Sequence, residues 1–269
     1  MLIDELRRRE IGIFESFALG RMIYSQSSKV ILFIVLFLGI PITTMSAIAG
    51  NAFSEVSSGL GFDLPTIIQD PALLEQLMAT ENWNYIAGYY LIIVLIQVLF
   101  FPLINMAITA LTSDYVYGKT PNFKDSLLVV LEKGHIFVLA AIMREIMVFA
   151  GLICFVIPGI LMYVFFLFYV AAVTLDDKGP IEALKYSTSL VKGQFAKIGL
   201  FILMVFCLEY SIRQMVQILM ELSGTGIVTN IISAVISTVI NSVFIVVMTL
   251  LYINRREMKK VKDEQIDIV

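Results

Sequence analysis

Apolar residues gather along this chain into six long blocks separated by short polar stretches. A helix rises 1.5 Å per residue, so about 20 apolar residues cross a hydrocarbon layer of about 30 Å. The blocks 30–48, 86–111, 136–157, 159–175, 196–221 and 227–252 have that character. The third and fourth abut at Ile157-Pro158-Gly159, where a Pro-Gly pair predicts a tight turn rather than one continuous helix. The pattern therefore predicts an all-α fold: a polytopic membrane bundle of six transmembrane helices, with an N-terminal segment 1–29, an outer loop 51–85 and a charged tail 253–269.

Lys and Arg orient that bundle, because cytoplasmic loops carry an excess of both. They fall on alternate segments. Arg7, Arg8, Arg9, Arg21 and Lys29 lie in the N-terminal segment; Lys119, Lys124 and Lys133 precede the third block; Lys178, Lys185 and Lys192, with Lys197 just beyond, precede the fifth; Arg255, Arg256, Lys259, Lys260 and Lys262 lie in the tail. The loop 51–85 has neither Lys nor Arg. Both termini are thus expected in the cytoplasm. The outer loop carries Glu55, Asp63, Asp70, Glu75 and Glu81, and its Trp83, Tyr85, Tyr89 and Tyr90 suit the outer headgroup belt. Asp70-Pro71 reads as the N-cap and first position of a short helix. No apolar core precedes Val30, so the start of the chain does not read as a cleaved signal peptide.

Composition narrows the function classes. Hydrophobic residues make up 59% and charged residues 15%, with a mean hydropathy of +0.89, which excludes a water-soluble or disordered chain. A net charge of −3 does not supply the basic surface a nucleic-acid partner needs. Two Cys and one His are too few for a structural zinc site, and no cofactor is implied. Cys154 and Cys207 read as small buried hydrophobes at different depths. His135, beside Gly134 at the inner boundary, reads as the end of a helix or a contact to headgroups.

Pro121 and Pro180 each precede a Lys-Gly pair, Lys133-Gly134 and Lys192-Gly193, by the same interval, and Gly12-Ile-Phe-Glu15 echoes Gly179-Pro-Ile-Glu182. This layout suggests three repeated units, each an amphipathic interfacial helix on the cytoplasmic face followed by a transmembrane hairpin. In the third, Ile181, Leu184, Val191 and Phe195 recur at helical spacing while Glu182, Lys185, Ser189 and Lys192 take other faces. Lys185, Lys192 and Lys197 are candidate contacts to anionic headgroups of membrane lipids; the alternative is that they only follow the positive-inside rule.

The run from Asp176-Asp-Lys-Gly179-Pro180 through Glu182-Ala183-Leu184-Lys185-Tyr-Ser187 to Lys192-Gly193-Gln-Phe195, preceded by Ile157-Pro158-Gly159, resembles the signature of the membrane domain attached to some bacterial glycerophosphodiester phosphodiesterases. It is also similar to the stand-alone YciC-like inner-membrane proteins. The motif covers roughly residues 155 to 205. Those hydrolases resemble metal-dependent enzymes with paired histidines and acidic ligands. Here His135 is the only histidine and no phosphodiesterase domain follows Tyr252. The resemblance implies an architecture and no catalytic residue.

Arg144, Glu145, Glu209 and Arg213 lie inside blocks expected to cross the membrane, where an ionised group costs several kcal/mol unless paired or wet. Glu209 and Arg213 have the favourable i,i+4 order. Arg144 and Glu145 point about 100° apart, so each is expected to find its partner elsewhere. Counted from the inner boundary, Arg144 lies about 14 Å deep, Asn241 about 18 Å and Glu209 about 21 Å, so Arg144 is expected to pair with Glu209 in a layer including Asn241, with Gln97 and Asn105 as further polar contacts. This network is either a packing device or a substrate or proton pathway.

The expected function is a non-enzymatic integral protein of the bacterial inner membrane, supporting envelope or membrane-lipid homeostasis or scaffolding a membrane-protein partner or a second copy of itself. The alternative is a permease or export subunit working with a separate ATPase, since the chain has no Walker motif.

Overall fold

The computed structural model describes residues 2–46, 95–222 and 227–266, and positions 48, 84, 87, 88, 91 and 92 between them. Among these the regular structure is helical, and six helices are long and apolar enough to cross a membrane. The acidic residues of the outer loop, the helix expected from Pro71, and Trp83, Tyr85, Tyr89 and Tyr90 lie outside the described residues.

No helix boundary falls at residue 29. After α1 (Leu2–Arg8), α2 (Ile13–Ile34) runs on through a π turn at Val35–Gly39 and as helix to Ser46. Gly12 caps its start, and the Glu15 carboxylate accepts the Gly12 N–H at 3.4 Å. The polar stretch Ser25–Ser28 interrupts the hydropathy but not the helix: Ser27 is buried and Ser28 returns its hydroxyl to the Ser25 carbonyl at 3.1 Å. Gly20 brings α2 close to the last helix, for a Cβ there would stand 2.6 Å from Val247 Cγ2.

A π turn at Ile96–Phe100 leads into α3 (Phe101–Val116). α4 (Phe123–Cys154) starts on Asn122, whose side chain accepts the Lys124 N–H at 3.1 Å. It passes Lys133-Gly134-His135 without a break, so His135 is an exposed mid-helix residue and does not end a helix. Glycine permits a helix end but does not compel one. α4 ends at Phe155 and α5 (Val156–Phe165) begins at once, so the reversal precedes Pro158, which sits in the first turn of α5 where its missing N–H costs little. The arms close because both are glycine at the contact: a Cβ on Gly151 would lie 3.0 Å from Gly159 Cα. Cys154 and Cys207 are both exposed on the bundle's perimeter, correcting the expectation that they are buried.

α5 and α6 (Tyr169–Asp176) make up the fourth span, broken at 166–168. The break frees backbone groups, and α7 (Pro180–Val191) supplies their partner. The buried Ser187 hydroxyl donates to the Phe165 carbonyl at 2.7 Å and accepts the Phe168 N–H at 2.9 Å. α6 ends on Asp177 in the left-handed region (φ 51°), and Gly193 (φ 92°) follows the end of α7. Leu184 and Val191 of α7 are buried, the helix packing on α4, α5, α6 and the last helix, whereas Ile181 is 52% exposed. Much of the apolar face expected to meet lipid is thus covered by protein.

α8 (Phe195–Leu222) packs on α5 and α9 (Ile227–Ile266), and α9 also touches α1, α2, α3 and α7. The sixth span was expected to stop at Tyr252. The helix continues, and Asn254, Arg255, Arg256 and Glu257 are only 1%, 7%, 5% and 1% exposed.

Candidate functional site

Charged side chains need partners when buried, and the quartet 254–257 finds them at the end of the bundle where α1 and α9 meet. Asn254 Nδ2 donates to the carbonyls of Leu6 at 2.7 Å and Arg9 at 2.8 Å, while its Oδ1 accepts the Ile11 N–H at 3.2 Å. Glu10 accepts from Arg255 at 3.0 Å, Lys197 at 3.2 Å and Gln194 at 2.5 Å. Burial pushes the Glu10 carboxyl up, but these three partners outweigh it and hold the group below its ordinary range. Arg256 donates to Asp176 at 2.8 Å and to the Tyr117 hydroxyl, and Tyr252 donates to Asp176. Lys133 reaches Asp177 at 2.5 Å and the Thr174 carbonyl at 2.7 Å. Burial, and then the nearby Asp176 charge, pushes the Tyr186 hydroxyl up to about 12. Opposite charges interleave throughout this cluster, which therefore works as a clasp.

The charges inside the spans meet at a different place, a cavity of about 390 Å³. Its walls come from Asn105 and Thr109 of α3, Arg144 and Glu145 of α4, Tyr163, Leu167, Phe168 and Tyr169 around the broken span, Phe206 and Glu209 of α8, and Asn241 and Phe244 of α9. Asn241 lies about 20 Å along α9 from Asn254 at 1.5 Å per residue, so the cavity and the clasp are separate sites. The Arg144 guanidinium is 4.6 Å from the centroid of the Tyr163 ring and 5.4 Å from that of Tyr169, and its Nη1 donates to Glu145. Tyr169 in turn stacks on Phe137.

The pairing of Arg144 with Glu209 is corrected. Both line the cavity, but each is bonded to a neighbour on its own helix: Arg144 to Glu145, and Glu209 to Arg213 at 2.8 Å. The 100° between adjacent positions does not separate Arg144 from Glu145, because the long guanidinium side chain folds back onto the next carboxylate. Asn241 and Asn105 do share the cavity with them; the side chain of Gln97 lies outside the described residues. Two wall atoms, Arg144 Nε and Asn105 Oδ1, are buried without a hydrogen-bond partner.

Of the lysines expected at the headgroups, Lys185 and Lys192 are exposed and Lys197 is engaged by Glu10. The sequence reading missed Ser187, Tyr163, Tyr169 and the quartet 254–257. The mixed signs of Asn254-Arg255-Arg256-Glu257 next to an unbroken apolar block were the available signal for the last of these.

Residues 127–254 match a family model described as a domain of unknown function, DUF7847. The match covers less than half of the chain and includes Arg144, Glu145, Glu209 and Asn241, but not Asn105. No curated protein and no solved structure matches this chain. Fold and site define an integral, multi-pass membrane protein with a partly open cavity lined by apolar, amide and charged side chains.

Proposed function

We propose that the protein is a non-enzymatic protein of the bacterial cell membrane, with both termini in the cytoplasm, that admits a small ligand to its intramembrane cavity as a permease or the membrane subunit of an exporter does. The observation that carries this reading is the cavity, where charged and amide side chains surround a broken helix at mid-span. Irregular backbone at membrane depth is tolerated where it is buried in protein or lines a cavity, and transporters build their midplane sites from discontinuous helices. Each cavity carboxylate is already engaged by an arginine, which supports binding rather than proton transfer. The test is labelling: with Cys154 and Cys207 changed to Ser, a single Cys at Thr109 or Asn241 should react with a hydrophilic thiol reagent. Reactivity no higher than that of a Cys at the buried Val247 makes the cavity a dry packing defect and ends this reading.

The second reading is a scaffold for envelope or membrane-lipid homeostasis. It is favoured by the clasp, which fixes one end of the bundle while leaving Lys185 and Lys192 free to meet anionic headgroups. Crosslinking in native membrane, recovering a partner protein or a second copy at Lys185 or Lys192 with the cavity unreactive, would favour it over the first.

A further inference from the structure

α8 is the least covered of the six candidate spans: 17% of its most apolar stretch is buried, against 28% or more in each of the others. Its buried positions Ile198, Phe201, Val205 and Val216 share one side. At about 100° per residue the opposite side is the row Leu200, Leu203, Cys207, Tyr210, Gln214 and Gln217, stepping by 3, 4, 3, 4 and 3 residues. That is the spacing at which one helix packs along another. Of the row, Gln214 is partly buried and the other five are exposed.

We propose that this row is a seam between two copies of the chain, α8 against α8, around a two-fold axis along the membrane normal. The half of the row farther from the clasp is polar. Counted from Lys197 at the clasp, Tyr210 lies about 20 Å and Gln214 about 26 Å along a helix crossing about 30 Å of hydrocarbon. Lipid tails offer no hydrogen bond to either group, whereas amide side chains bond well across paired helices. The exposed face of α4 shows the contrast, since Leu139, Ile142, Ile146, Phe149 and Ile153 are all apolar and suit lipid.

A second copy fits the row better than a partner of another kind. Two copies threaded in the same sense bring each residue of the row to its own counterpart at one depth, so the row must complement itself. Amides and phenols do, because each both donates and accepts. The Gln214 amide donates to the Tyr210 hydroxyl at 2.7 Å, which ties the two into one polar unit on this face. Arg213 on the flank is exposed but held by Glu209 at 2.8 Å, so no net charge repels the second copy. The seam stands whether or not the cavity takes a ligand.

The test uses the full chain in phosphatidylethanolamine–phosphatidylglycerol liposomes. Single-molecule photobleaching at rising lipid-to-protein ratio should trace a monomer–dimer curve. Gln214→Leu should shift the curve toward monomer by about tenfold in protein density. Leu203→Trp, a bulky change at an exposed site, should do the same while leaving the Tm of the monomer unchanged. With Cys154 changed to Ser, oxidation by copper phenanthroline and oxygen should join two copies through Cys207; with both native cysteines changed to Ser, Leu203→Cys should join them as well. Leu208→Cys and Ile146→Cys, exposed to lipid but off the row, should not. A chain that stays monomeric at every ratio overturns the seam and leaves the polar row to lipid headgroups. A dimer that neither variant weakens, or that crosslinks at Ile146 or Leu208 as readily as on the row, overturns it in favour of another face. Crosslinking of Cys207 in native membrane to a different protein, with no self-crosslinked product, overturns the second copy as occupant.

Discussion

Glu257, near the end of the last helix, accepts two hydrogen bonds from Arg7 of the first, at 3.0 and 3.2 Å and across 250 residues of chain. The carboxylate is buried while the guanidinium is mostly exposed, so the contact pins a surface helix onto an interior anchor. Asn254 lies one turn earlier on the same helix and bonds the backbone of α1 at Leu6 and of the following turn at Arg9 and Ile11. The chain's start is thereby docked onto its end.

Removing Asn254 tests that docking. Asn254→Ala deletes three hydrogen bonds to backbone groups at a buried turn, and should destabilise the protein by about 2–3 kcal/mol. Asn254→Asp keeps the acceptor for Ile11 but loses both donors, so it should be no milder. Melting in detergent and proteolysis near Arg9 report the two effects; an unchanged Tm with no new cleavage would show that α1 is held by other contacts.

Gly20 is expected to be intolerant of any side chain. Gly20→Ala drives a methyl into Val247, a stiff β-branched neighbour, at a cost of about 1–3 kcal/mol. Val247→Ala in the same chain should recover most of that loss. If the double variant melts no higher than Gly20→Ala alone, the close α2–α9 approach is wrong.

How far the sequence foretold these relations depends on the kind of signal each left. The spans themselves were legible, because a hydrocarbon layer demands long apolar runs. Their ends were not. Hydropathy falls at Ser25–Ser28 and at Asn254–Glu257, yet α2 and α9 continue through both: Ser28 bonds the carbonyl of Ser25 within its own helix, and the buried charges at Arg255 and Arg256 find their partners on distant residues. Lys133-Gly134 and Lys192-Gly193 look alike in sequence, but only the second accompanies a helix end. For the cavity, the residues Arg144, Glu145, Glu209 and Asn241 were identifiable as charges or amides at membrane depth, whereas their pairing was not. Pairing depended on side-chain conformations and on Tyr163 and Tyr169, which apolar periodicity does not mark.

Ser187 holds the broken fourth span together. Ser187→Ala would leave the Phe165 carbonyl and the Phe168 N–H without their bonds in an apolar layer, a loss of about 1–3 kcal/mol. Ser187→Thr keeps the hydroxyl and should lose less if the extra methyl fits. Equal stability for wild type and Ser187→Ala, measured by thermal melting, would mean that water replaces the hydroxyl.

Acid should loosen the clasp through Glu10. Its partners hold the folded carboxyl below the ordinary value of 4.5, so the charged form is favoured by folding. The stabilisation is therefore complete above about pH 4.5 and is lost as the pH falls through the depressed folded value. The Tm of wild type should drop over that acidic window more steeply than that of Glu10→Gln, which has no carboxyl to protonate. Parallel profiles would remove Glu10 from the linkage.

The intramembrane charges make the sharpest test, because two arrangements of the same four residues predict opposite couplings. With Arg144 bonded to Glu145 and Glu209 to Arg213, replacing either pair by alanine singly and together should give coupling energies of about 1–3 kcal/mol. The crossed combination, Arg144→Ala with Glu209→Ala, should be additive to within about 0.5 kcal/mol, since the two share a cavity but no bond. Arg144→Ala should also be the costliest single change, for its side chain is only 13% exposed against 54% for Arg213, and it gives up two ring contacts along with the ion pair. All seven variants are compared by unfolding in bicelles at one pH. Strong coupling between Arg144 and Glu209, with little within each helix, would restore the cross-cavity ion pair; the cavity would then be closed by a salt bridge and could not take up a ligand through Arg144.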